Sequence, residues 1–126
     1  MGRELQMATQ LTDTGQVLNH HLQALGHGNL AELLDDYVED SVLITPERTI
    51  TGLSGIRSAF EGFLSGLFKP GTYDITFAAR HVHGEVAYIV WHAKCASADI
   101  ALGTDTFMVK DGKILVQTFA AKVEAR

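Results

Sequence analysis

From Thr72 onward the hydrophobic period is two, in four long segments at about 72–82, 86–96, 100–110 and 113–123. His83-Gly84-Glu85 and Asp111-Gly112 separate them as tight hairpin turns, and a softer turn falls near Ala98-Asp99. Strands of this length, punctuated by glycine, predict a strongly bent antiparallel sheet. Leu115, Phe119, Ala121 and Val123 alternate with Ile114, Val116 and Ala120, so both faces of the last strands are apolar. A sheet with water on one side alternates more cleanly. One face is therefore expected to meet helices and the other a second subunit, the alternative being a thicker monomer core. Ile89 and Trp91, which share strand parity with Ala87 and Ala93, are assigned to that outer face.

The first half supplies the helices. Val17, Leu18, Leu22 and Leu25 recur at helical spacing from about Thr14 until Gly26-His27-Gly28, and Asn29 with Glu32 reads as a capping box opening a short second helix. Val42-Leu43-Ile44-Thr45, a Pro46-Glu47-Arg48 turn and Thr49-Ile50-Thr51 form a small hairpin. Leu53, Ile56, Phe60, Phe63, Leu64 and Leu67 mark a third helix, closed by Pro70-Gly71. The result is an α+β chain in which three helices from the N-terminal half cover a curved antiparallel sheet. At 126 residues, 46% hydrophobic and 20% charged, it is one domain over 1–126, with 1–12 a loosely ordered arm.

A net charge of -5 with scattered basic residues argues against nucleic acid or an anionic membrane as partner. The lone Cys95 forms no internal disulfide, the first residues lack a signal-peptide core, and no run reaches the roughly 20 apolar residues of a membrane span. A cytoplasmic location is expected. There is no phosphate-binding glycine loop, nucleophile elbow or zinc spacing, so neither cofactor nor metal is expected; His81 and His83 lack a third ligand, although one of them could approach a pocket rim.

Asp105, in Gly103-Thr104-Asp105-Thr106-Phe107-Met108-Val109, is an acid inside an apolar strand. It must face water, find a partner or rise in pKa. Parity sets Asp105 with Phe107, Gln117 with Phe119, and Tyr88 and Val90 with His92, without deciding which faces converge. If these do, Asp105, His92 and Gln117 line a cavity walled by Tyr88, Val90, Phe107 and Phe119, suited to a small apolar molecule. His21, four residues from both Val17 and Leu25, sits at the edge of the first helix's buried stripe, either as an ordinary boundary histidine or as a cavity-lining donor. His20 points elsewhere.

The order of elements resembles the nuclear-transport-factor-2-like superfamily, especially its ketosteroid-isomerase-like and SnoaL-like polyketide cyclase branches, over about residues 14–123. The resemblance rests on Leu22-Gln23-Ala24-Leu25 with Gly28-Asn29-Leu30, Tyr37 through Val42, Gly52 through Ile56, and Gly103 through Phe107 with Asp111-Gly112-Lys113-Ile114. It implies a cone-shaped sheet around a cavity and a dimer through the sheet's outer face. It also implies that Asp105 is an acid/base group, that His21 or His92 assists it at a carbonyl, and that Thr45 and Phe60 join the substrate-facing set. Thr45 falls where the isomerase pattern has its general-base carboxylate and cannot serve as one, so the resemblance favours the cyclase branch. The alternative is a binding or association module without turnover.

Overall fold

A computed structural model describes residues 2–126, with side chains from Asp13 onward. Helix α1 (Gly2–His27) and short α2 (Leu30–Leu34) precede strands β1 (Tyr37–Ile44) and β2 (Thr49–Thr51). Helix α3 (Gly52–Ser65) then leads to β3 (Asp74–His83), β4 (Val86–Lys94), β5 (Ala98–Lys110) and β6 (Lys113–Ala125). The helical backbone of α1 thus begins ahead of the expected start near Thr14. The expectation of a loose arm over 1–12 falls on residues whose side chains lie outside the described set.

Buried Val17, Leu18, His21 and Ala24 form the inward stripe of α1, and Ile56, Ala59 and Phe60 that of α3. Asn29 caps α2 by accepting from the Glu32 backbone N–H at 3.1 Å. This is half of a capping box, because the Glu32 side chain turns away to His20. Gly52, at φ +86°, makes the abrupt passage from β2 into α3; a Cβ there would sit 3.4 Å from the Glu39 carbonyl oxygen.

The six strands form one curved sheet in the order β2-β1-β6-β5-β4-β3. It is mixed rather than purely antiparallel, because β1 runs parallel to β6 while every other pair is antiparallel. Ser41 stitches the irregular start of the parallel pair, accepting from the Val38 N–H and donating to the Ile114 carbonyl. Register shifts interrupt β3 between Phe77 and Ala79, β4 between Trp91 and Ala93, and β5 twice, and such bulges bend a sheet. The hairpin turns fall where expected, whereas the softer turn lies at Cys95–Ser97, just before Ala98.

One assignment is reversed. Ala87, Ile89, Trp91 and Ala93 are buried on the inner, helix-covered face, and Tyr88, Val90 and His92 point outward. Register decides this: Ile89 pairs with Asp105 and Ala87 with Phe107, and directly paired residues share a face. Gly103 lies opposite Trp91, and a Cβ there would come within 2.2 Å of the indole. The missing side chain is the space the indole occupies.

Candidate functional site

The concave face of β4, β5 and β6 and the inward stripes of α1 and α3 enclose a cavity of about 40 Å³. Phe60, Phe63, Phe68, Phe77, Trp91, Phe107 and Phe119 supply its aromatic walls, with leucines and isoleucines between them, and its polar members are His21, Asp105 and Gln117. Among the described residues no lysine or arginine lines it. An apolar cavity of ~150 Å³ holds a benzene ring, so the free space here is smaller than one aromatic ring needs and excludes a fused polycyclic skeleton.

Asp105, 7% exposed, is fixed by two donors. Trp91 Nε1–H donates to Oδ1 at 2.8 Å, and Gln117 Nε2 donates to Oδ2 at 2.9 Å. Tyr37 in turn donates its phenol hydrogen to Gln117 Oε1, which leaves the amide nitrogen facing the carboxylate. Burial pushes the Asp105 carboxyl up from 3.8 to about 6, against the pull of the two donors. Near neutrality it is mostly a carboxylate held in low dielectric, with no cation beside it among the described residues. Burial also lifts the Tyr37 phenol well above 10, with Asp105 and Asp36 adding to it, so Tyr37 acts as a neutral donor.

His21 is buried among the rings of Phe107, Phe60 and Tyr37 at centroid distances of 5.1, 5.8 and 6.1 Å. Its Nδ1 is buried without a hydrogen-bond partner among the described residues. Burial, and secondarily the charge of His20, lower its pKa from 6.5 to about 3, so the imidazole is neutral. A neutral ring in this position can hydrogen-bond a ligand but carries no charge to it.

Of the residues expected from sequence, Asp105, His21, Phe107, Gln117, Phe119 and Phe60 converge on this cavity. His92, Tyr88 and Val90 do not: the β4 register turns them to the outer face, where His92 and Tyr88 are exposed. Thr45 is also absent from the lining. Its hydroxyl accepts from the backbone N–H groups of Glu47 and Arg48 and so closes the turn between β1 and β2. His81 and His83 pair with outward Tyr88 and Val86, since the bulge after Phe77 takes them off its face. Trp91 and Tyr37, which hold the acid directly and through Gln117, escaped the sequence reading; the signal for Trp91 was the glycine across from it.

A second polar cluster went unread. His20 Nδ1 lies 2.8 Å from both oxygens of Asp36, and Nε2 lies 2.7 Å from Glu32 Oε2. The hydrogen bonds to Asp36 and Glu32 raise the His20 pKa, whereas burial raises that of Asp36 against the pull of His20. Among the described residues no group of three or more His, Cys, Asp or Glu is placed to hold a metal ion. No described helix is long and apolar enough to cross a membrane.

The family model described as a SnoaL-like domain matches residues 18–117. No curated protein matches the sequence. Among solved structures, a candidate ketosteroid isomerase from Kribbella flavida superposes with a TM-score of 0.75 at 18% identity, covering 93% of this chain and 82% of that one. A candidate polyketide cyclase from Sinorhizobium meliloti gives 0.71 at 16% identity, covering 82% and 93%. An LEH-like epoxide hydrolase from M. tuberculosis gives 0.69 at 13%, covering 89% and 84%. At these identities the likeness is one of fold, shared by three differently described chemistries.

Proposed function

The chain belongs to the SnoaL-like domain family, and on that premise we propose that it is an acid/base enzyme acting on a compact apolar carbonyl compound, with Asp105 as the proton carrier. The observation that carries this is the buried Asp105 carboxylate, held by Trp91 and Gln117 in a cavity that no lysine or arginine lines among the described residues. Two donors on its oxygens favour the ionised form, so its first act is to accept a proton rather than to give one. Each oxygen retains a lone pair. One of them takes a proton from the carbon beside the substrate carbonyl, and the acid so formed returns it to another carbon or to an aldol oxygen, as an isomerase- or cyclase-type step requires.

Neutral His21 hydrogen-bonds the oxygen on which negative charge gathers, with the tautomer that places N–H toward the ligand. Tyr37, by fixing the Gln117 amide, keeps the carboxylate oriented through both protonation states. The aromatic walls exclude water and keep the basicity of Asp105 above that of a solvated carboxylate.

The test is hydrogen–deuterium exchange at the α-carbon of small ketones and aldehydes, followed by NMR. Exchange above the buffer rate, falling about 100-fold or more in Asp105→Asn, supports proton transfer. Equal rates in the variant remove Asp105 from the chemistry. The cavity's small free volume favours a second reading, a binding module of the same fold, which predicts ligand retention without exchange.

The outer face exposes Val86, Tyr88 and Met108 beside threonines 104, 106 and 118, an apolar and uncharged stretch of sheet. It is the surface we assign to a second copy of the chain.

A further inference from the structure

We infer that His20 and Asp36 are positioning residues for the cavity: the ring of His20, bridging Glu32 and Asp36, clasps α1 to the corner between α2 and β1 and so fixes His21 and Tyr37 on the cavity side. The inference rests on the reading of that cavity as a ligand site.

The connection is one of adjacency. His20 and His21 are successive on α1 and project about 100° apart, one toward the polar corner and one toward the aromatic walls. Asp36 and Tyr37 are successive where the chain enters β1, and Tyr37 reaches Gln117 and through it Asp105. A movement of α1 against this corner therefore displaces a histidine and a tyrosine of the cavity together. Farther along α1, Thr14 donates to the Gly84 carbonyl and the Gly15 carbonyl accepts from Arg80, so that part of the helix is tied to the β3–β4 hairpin. The His20 clasp ties the other part.

The clasp requires a proton. Ionised carboxylates only accept, so a ring whose two nitrogens both face carboxylates must carry hydrogen on each and is a cation. A neutral ring keeps one of these bonds and sets a lone pair against the other carboxylate. The groups around it are Glu32 and Asn29 at α2, Asp36 from the connector, and Gln23 and His27 along α1; Asp35 and Lys113, whose Nζ donates to the Asp35 carbonyl, act on Asp36. His20 is held above its ordinary 6.5, so while its carboxylate partners are ionised the clasp is complete below that value, and it is lost as pH rises through the His20 folded pKa.

The experiment is ¹⁵N NMR of the imidazole rings and the Trp91 indole, with Tyr37 ring signals, across neutral and alkaline pH in the full chain, His20→Gln and Asp36→Asn. His20 is expected to titrate above its ordinary 6.5, with both nitrogens protonated below its midpoint. The Tyr37 and Trp91 signals should show a step at the His20 midpoint, absent in His20→Gln and moved to lower pH in Asp36→Asn. A His20 midpoint at or below 6.5, or cavity signals that ignore its titration, overturns the inference, and so does a step that survives in His20→Gln. Should His20→Gln fail to fold, Asp36→Asn alone decides by whether the step moves. A separate step near 6 reports Asp105; its absence counts against the proposed proton carrier and leaves the clasp standing.

Discussion

His20 and His21 are consecutive on one helix, and their surroundings shift their pKa values in opposite directions. His20 meets two carboxylates at a half-open corner and its pKa rises; His21 meets three aromatic rings, no polar partner at Nδ1, and its pKa falls to about 3. The imidazole chemistry is the same. What differs is the face of α1 from which each projects, and this shows how little residue type says about role until neighbours are fixed.

The comparison is sharpened most by titrating stability. Neutral His21 contributes stability that is complete above 6.5 and lost as pH falls toward about 3, which amounts to about 5 kcal/mol. Asp105 acts in the reverse sense: its folded pKa is raised, so its contribution is complete below 3.8 and lost as pH rises through about 6, by about 3 kcal/mol. Over the shared interval these two contributions nearly cancel. Urea unfolding at stepped pH should show stability falling with pH in His21→Phe and rising with pH in Asp105→Asn. Slopes of the same sign in both variants break the assignment.

Gly103→Ala strikes the cavity side alone. The added methyl meets the Trp91 ring, pushes the indole off Asp105 and costs about 2–3 kcal/mol by overpacking. A lowered denaturant midpoint is the expected result; an unchanged midpoint breaks the packing assigned to Gly103 and Trp91.

The smallest effect on the fold belongs to the outer face. Tyr88→Lys should change monomer stability by less than ~0.5 kcal/mol and leave both histidine titrations in place. Light scattering should then find a dimer in the wild type and a monomer in the variant. A monomeric wild type at micromolar concentration removes the outer face as a site for a second copy.

The outline of the fold was legible because its signals are local. Period-two patterning with Asp111-Gly112 and the His83-Gly84-Glu85 turn located β3 to β6 to within a few residues, and three- and four-residue spacing located α3. Parity on β5 and β6 correctly joined Asp105, Phe107, Gln117 and Phe119. On β4 it failed, since Tyr88 and Val90 are as apolar as Ile89 and Trp91, and only a register with Gly103 under the indole separates the two faces. A one-residue slip reverses every side chain on a strand. The parallel pairing of β1 with β6 and the His20, Glu32 and Asp36 cluster depend on tertiary approach, which hydrophobic periodicity does not encode. Glu32 is legible as a cap residue, whereas Asp36, an acid just before a strand, carries no local signal of its partner on α1.

The parallel partnership of β1 and β6 also governs when the molecule can assemble. Ser41 bonds to a carbonyl 73 positions later, and Tyr37 to an amide 80 positions later. While the chain is being synthesised, β1 and the hairpin it makes with β2 must wait for β6 to leave the ribosome, whereas the antiparallel hairpins of β3 to β6 close with near neighbours. Until then the apolar side of β1 has only nascent helices to shelter it, and chaperone engagement should be concentrated in that interval.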